Sequence, residues 1–192
     1  MAHEPTVFLS ASVPLPDRLA KYYQTADVIA IREAVRALAL LVVPKGTIVF
    51  GGHPAITPLI RVVAQSLGIK VGDHVILYQS ALFKPWFPPD NVAFERVEVT
   101  PAVGSDKDAS LDLMRDRMLG EHAFKAGIFI GGMEGVEDEF DLFQRRHPGA
   151  MLLPIASTGA AAKIVYDSKG PFPKDLETDL SYGPLFRRYL GL

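Results

Sequence analysis

The sequence predicts an α/β fold, a mostly parallel sheet with helices on both faces, and three observations predict it. Short apolar runs bounded by Gly, Pro and Ser alternate with longer stretches of helical period along the chain. Several of the short runs are apolar at successive positions rather than at every second one, as strands enclosed between two helix layers must be. At 192 residues and 48% hydrophobic content, the chain can bury one full core and most simply forms one domain spanning residues 1–192.

Six strands are expected: "TVFLS" near Thr6, "TIVF" near Val49, "HVILYQ" near Ile76, "RVEVT" near Val97, "AGIFI" near Phe129 and "AMLLPIA" near Leu153. Between the first two, Val28, Ile31, Val35, Leu38 and Val42 recur at spacings of three and four, one face of an amphipathic helix from which Arg32 and Arg36 are excluded. After the second strand, Thr57 is placed to cap a helix with Pro58 in its first turn and Gly68 beyond its end. "DASLDLMRDRML" and "GVEDEFDLFQRR" read as two more helices and "SYGPLFRRYLGL" as a short one. The stretch Gln79 to Asn91, rich in proline and aromatics, reads as an ordered lid or interface loop.

Composition excludes several functions. The formal charge of −2 and the scattered basic residues leave no footprint for duplex nucleic acid or an acidic membrane surface. With no cysteine, disulfides, thiolate nucleophiles and cysteine metal sites are absent. No basic flank leads into a long apolar segment at the N-terminus, and the longest apolar run, Ala37 to Val43, is too short to span a bilayer. These features lead to the expectation of a cytoplasmic protein. No HExxH pair, His/Asp ligand cluster, GxSxG elbow or GK[ST] phosphate loop occurs. Neither a metal nor a cofactor is therefore expected.

In open α/β sheets ligands bind beyond the carboxyl ends of the strands. Four loops are expected to converge there: "SASVP" with Ser10 and Ser12, "GGHP" with Gly51, Gly52 and His53, "GGMEG" with Gly131, Gly132, Met133 and Glu134, and "STGAA" with Ser157, Thr158 and Gly159. Paired glycines let backbone approach a phosphate or ribose, and the helix N-terminus behind them favours an anion. Glu137, Asp138 and Glu139 are placed in a first helical turn, where carboxylates complement the dipole in any protein, while Glu134 or Glu139 is the candidate for ribose hydroxyls. Arg115 is the candidate for phosphate charge. Trp86, Phe83 and Phe87 suit base stacking, loop packing or a dimer contact.

The helix segment "LDLMRDRM", a strand, and then "GGMEGVEDE" resemble the MxxRK and PGGxGTxxE motifs of the LONELY GUY phosphoribohydrolases, which with DprA form the Rossmann-like SLOG superfamily. Over nearly the whole chain, with "FLSASVP", "IREAVRAL", "FGGHPAITPLI", "YQS" and "STGAA", the sequence looks most like the STALD subgroup. That subgroup is attached to TIR and sirtuin enzymes in antiphage defence, including the Thoeris system. The resemblance implies a sensor of a cyclic ADP-ribose-type nucleotide, a homo-oligomer, and a TIR or sirtuin-type effector as partner. Ile130 stands where the hydrolase pattern has proline, Val136 where it has threonine, and one extra residue separates Gly132 from Gly135. Binding is thus expected over cleavage. The alternative is a LONELY GUY-like phosphoribohydrolase with Arg115 and Glu139 as catalytic residues.

Overall fold

The computed structural model describes residues 4–17 and 19–192. In chain order the elements are β1 (Thr6–Ser12), α1 (Ala20–Tyr23), α2 (Val28–Val42), β2 (Thr47–Phe50), α3 (Thr57–Ser66), α4 (Val71–His74), β3 (Val75–Ser80), β4 (Val97–Thr100), α5 (Lys107–Gly120), β5 (Ala126–Gly131), α6 (Glu134–Arg146), β6 (Met151–Ile155), α7 (Ala160–Lys169), α8 (Asp175–Thr178) and α9 (Tyr182–Leu190). All six expected strands form, and they pair in parallel in the order β4-β3-β2-β1-β5-β6. The fold is Rossmann-like. Central strands β3 and β5 are buried at every position, which accounts for their continuous apolar sequence.

Side chains alternate across a strand, and β1 therefore feeds two cores. Val7 and Leu9 pack with α2, α3 and α9, while Phe8 packs with α5, α6 and α7. On the second face Phe8 stacks on Phe143, and Phe129 meets Phe140 edge to face. Helix α2 buries Ile31, Val35, Leu38 and Val42, while Val28 at its first position stays exposed. Asp27 caps it, its Oδ1 accepting the Ala30 N–H at 2.9 Å.

The start of α3 differs from expectation. Thr57 is its first residue rather than its cap, and its buried Oγ1 has no hydrogen-bond partner among the described residues. The His53 carbonyl closes this turn instead, accepting the N–H groups of Ile56 and Thr57 at 2.9 Å each. The far end ends as expected: Gly68 N–H reaches the Gln65 carbonyl and Ile69 N–H the Ala64 carbonyl, the paired bonds of a Schellman terminus.

Helix α7 follows the Ser157 loop, where the sequence pattern predicts none. Its small residues Ala160, Ala161 and Ala162 lie fully buried, packed closely against the sheet. The stretch Gln79 to Asn91 is ordered, with two 3₁₀ segments, Ala81–Trp86 and Pro89–Ala93. The second is tied to α3 by the Arg61–Asp90 ion pair at 2.8 Å. Among the described residues, no helix is long and apolar enough to cross a membrane.

Candidate functional site

Strand numbering runs outward from β1 in both directions, so the order reverses between β1 and β5. A crevice opens at the carboxyl ends of strands where such a reversal occurs. There lies a cavity of about 520 Å³, within the usual size of small-molecule sites. Its walls come from the ends of β1 and β2, the first half of α5 and the start of α6.

Ser10 lies on the Phe8 face of β1, two residues on, and so points toward α5 and α6. Glu139 descends from α6 to meet it: Ser10 Oγ donates to Glu139 Oε2 at 2.5 Å. From α5, Arg115 Nε donates to the other oxygen, Oε1, at 3.3 Å. Arg115 Nη1 also lies 3.5 Å from Asp138 and 3.8 Å from Asp112. Gly135 makes room for this guanidinium, since a Cβ there would stand 3.3 Å from Nη2. The pair is largely enclosed, the side chains of Arg115 and Glu139 being 11% and 14% exposed. Burial raises the Glu139 carboxyl above its ordinary value, opposed by Arg115 and the Ser10 hydrogen bond.

The turn before α6 explains its glycines. Gly131 and Gly132 have φ of +57° and +91°, and a Cβ would come within 2.5 Å of Ile31 and 2.2 Å of Val136 respectively. The Gly132 N–H donates to the Ser12 carbonyl at 2.8 Å, fastening the turn to β1. The helix then begins at Glu134, earlier than the sequence suggested. Its first-turn acids are Glu134 and Glu137, and Glu139 falls one turn further in. Met133 stands at the N-cap position of α6, and Gly135 to Glu139 lie within the helix.

Of the expected site residues, Ser10, Ser12, Gly51, Gly52, His53, Arg115, Met133, Glu134 and Glu139 line the cavity together. Gly131 and Gly132 form the turn behind Met133 and are not in the lining. The Ser157 loop differs from the expected fourth wall. Thr158 is buried, its Oγ1 accepting the Gly131 N–H at 2.9 Å and donating to the Ile155 carbonyl at 2.6 Å. Ser157 Oγ lies 3.3 Å from the Tyr182 hydroxyl, and Gly159 packs on the backbone of Thr25. This loop thus buttresses the Gly131 turn from behind, because β6 is the edge strand beyond β5. Glu137 accepts hydrogen bonds from Tyr22 and Lys21, tying the β1–α2 connection to α6. Phe83, Trp86 and Phe87 are not in the lining.

Lys107, Asp108, Leu111, Met114, Val136 and Asp138 also line the cavity, and sequence reasoning did not assign them there. Leu111 and Arg115, four apart on one helix face, were the signal available for α5. Among the described residues no group of three or more His, Asp and Glu is arranged to hold a metal ion.

The raised carboxyl has a pH signature. A native carboxyl that binds its proton more tightly than the unfolded one makes the folded state lose stability as pH rises above the unfolded value, near 4.5. Glu139→Gln removes that term. Melting curves from pH 4.5 upward are expected to fall less steeply for the variant than for wild type, and parallel curves would refute the assignment.

An open parallel sheet with a cavity beyond the carboxyl ends of β1 and β2, beside the reversal of strand order, defines the class, a Rossmann-like protein. Residues 21–190 match the sequence model of the SLOG cluster3 family, and the chain belongs to that family. Searches against curated proteins and against solved structures return no match. Membership in SLOG fits a nucleotide-related function.

Proposed function

We propose that the cavity binds an ADP-ribose-type nucleotide as a signal, without consuming it. The observation that supports this most is the composition of the walls. Carboxylates stand on both sides, Asp108 on α5 and Glu134 and Asp138 on α6, beside two cations, Lys107 and Arg115. Carboxylates accept hydrogen bonds from sugar hydroxyls, and the N-terminus of α6 suits phosphate oxygens. A ligand with two riboses joined by a pyrophosphate presents both kinds of group. The likeness to the STALD subgroup supports a defence-signalling role, with readout through self-association or a TIR or sirtuin-type effector. Such a signal works only by binding one state of the assembly better than another.

One observation favours a second reading, N-glycosidic cleavage of a nucleoside monophosphate. Arg115 and Glu139 come together, and a buried carboxyl with raised proton affinity is suited to acid–base work. Turnover separates the two. Incubation with cyclic ADP-ribose, ADP-ribose and adenosine monophosphate is followed by melting and by chromatography of the recovered nucleotide. A ligand at about a hundred times its Kd stabilises by roughly 2.7 kcal/mol. Intact nucleotide with a melting shift is the expected result. Free adenine produced over many turnovers, and lost in Glu139→Gln, would replace the signalling reading with the hydrolytic one.

A further inference from the structure

We infer that His53 is a neutral hydrogen-bond donor, fixed as its Nε2–H tautomer, that recognises a phosphoryl oxygen of the ligand. The inference rests on the nucleotide reading and assigns one residue of the same cavity a defined chemical task.

Both ends of His53 are accounted for by the loop between β2 and α3. Its carbonyl accepts the N–H groups of Ile56 and Thr57. Its ring Nδ1 lies 3.2 Å from the Ala55 N–H, which donates to it. A ring nitrogen that accepts a backbone N–H carries no proton, so the proton of the neutral ring is on Nε2. Among the described residues Nε2 has no hydrogen-bond partner, and His53 lines the cavity. Burial lowers the ring's proton affinity, and a second proton would have to enter at Nδ1, against the Ala55 N–H. The ring therefore presents one N–H to the cavity without becoming a charge.

The neighbouring residues indicate what it recognises. Gly51 and Gly52 precede it with no side chain above the backbone, and Gly51 lies against Met114 and Met118 of α5. The titratable groups on the facing walls are Lys107, Asp108 and Arg115 from α5, and Glu134, Asp138 and Glu139 from α6. Arg115 is already held by three carboxylates. An uncharged donor on the β2 side adds a phosphate contact without attracting the surrounding acids, as a second free cation would.

Two amide substitutions separate the loop role from the ligand role. Asparagine sets its oxygen where Nδ1 was, and glutamine sets its nitrogen where Nε2 was. His53→Asn is expected to keep the melting temperature of the ligand-free protein and to weaken adenosine monophosphate and ADP-ribose about tenfold or more, with adenosine little changed. His53→Gln is expected to lower the ligand-free melting temperature while retaining more of the phosphate affinity. Equal loss on adenosine and its phosphate, or no loss at all, would overturn the ligand role. Nitrogen-15 NMR of the ligand-free protein tests the tautomer separately. A protonated Nδ1 at pH 7 overturns the inference whatever binds, whereas a wild-type protein that binds neither adenosine monophosphate nor ADP-ribose removes the nucleotide reading and the ligand role with it.

Discussion

Arg115→Ala is expected to destabilise the protein by about 3 kcal/mol, the lower end of the cost of breaking a buried ion pair. The loss comes less from the missing attraction than from what remains. Glu139 stays enclosed between β1 and α5, with the Ser10 hydroxyl as its remaining partner. It must then either keep an uncompensated charge or take up a proton. Protonation limits the cost, and its signature is a stability that falls with rising pH more steeply than in wild type, starting from the unfolded carboxyl value near 4.5. Adding Glu139→Gln to Arg115→Ala removes the stranded charge, so the double variant is expected to be more stable than Arg115→Ala alone. For a chain of this size 3 kcal/mol corresponds to a fall of about 6–12 °C in melting temperature. Additive effects of the two substitutions would show that they do not form a coupled pair.

Gly159→Ala is expected to cost more, about 4 kcal/mol or above, the range reserved for a forced backbone or a buried clash. Gly159 combines φ of +71° with ψ of −158°, a region nearly closed to residues with a Cβ. A Cβ there would stand 1.8 Å from the Thr25 carbonyl oxygen. That segment cannot yield easily, because Thr25 Oγ1 accepts the Ala160 N–H and Asp27 N–H donates to the Thr158 carbonyl. Gly149→Ala is the control: a Cβ there meets nothing within 4 Å, and its effect should stay within about 0.5 kcal/mol. If the two variants unfold at similar denaturant concentrations, the packing described for Gly159 is wrong.

The strands were legible because burial on both faces writes itself as unbroken apolar sequence, and the long helices because their stripes repeat at the helical period. Helix α7 was hidden by the same physics. Three of its four buried residues are alanines, which carry no strong apolar signal, and "STGAA" reads as a loop when its helix is missed. The cavity was partly legible: the ends of β1 and β2, with Met133 and Glu134 at the start of α6, were expected in it and line it, whereas Gly131 and Gly132 were expected there and lie behind it. What the sequence could not show was which strand is the neighbour of which. With β6 placed on the edge, Thr158 reaches the Gly131 amide instead of the cavity. With α5 beside α6, Arg115 meets Glu139, two residues whose pairing no local pattern announces.

The position of β1 has a consequence for how the chain comes into being. Of the six strands in this sheet it is the first to be synthesised, yet Val7 to Ser12 pair on one side with residues Ala126 to Gly131. While β2, β3 and β4 emerge, that flank of β1 remains an open edge of apolar sequence, the kind of surface that pairs with other chains. Closure arrives with β5, and the turn and helix that follow it carry Glu139 down onto Ser10. The same late segment therefore seals the sheet and completes the cavity, so a nascent chain halted before β5 would have neither a covered β1 edge nor a complete cavity.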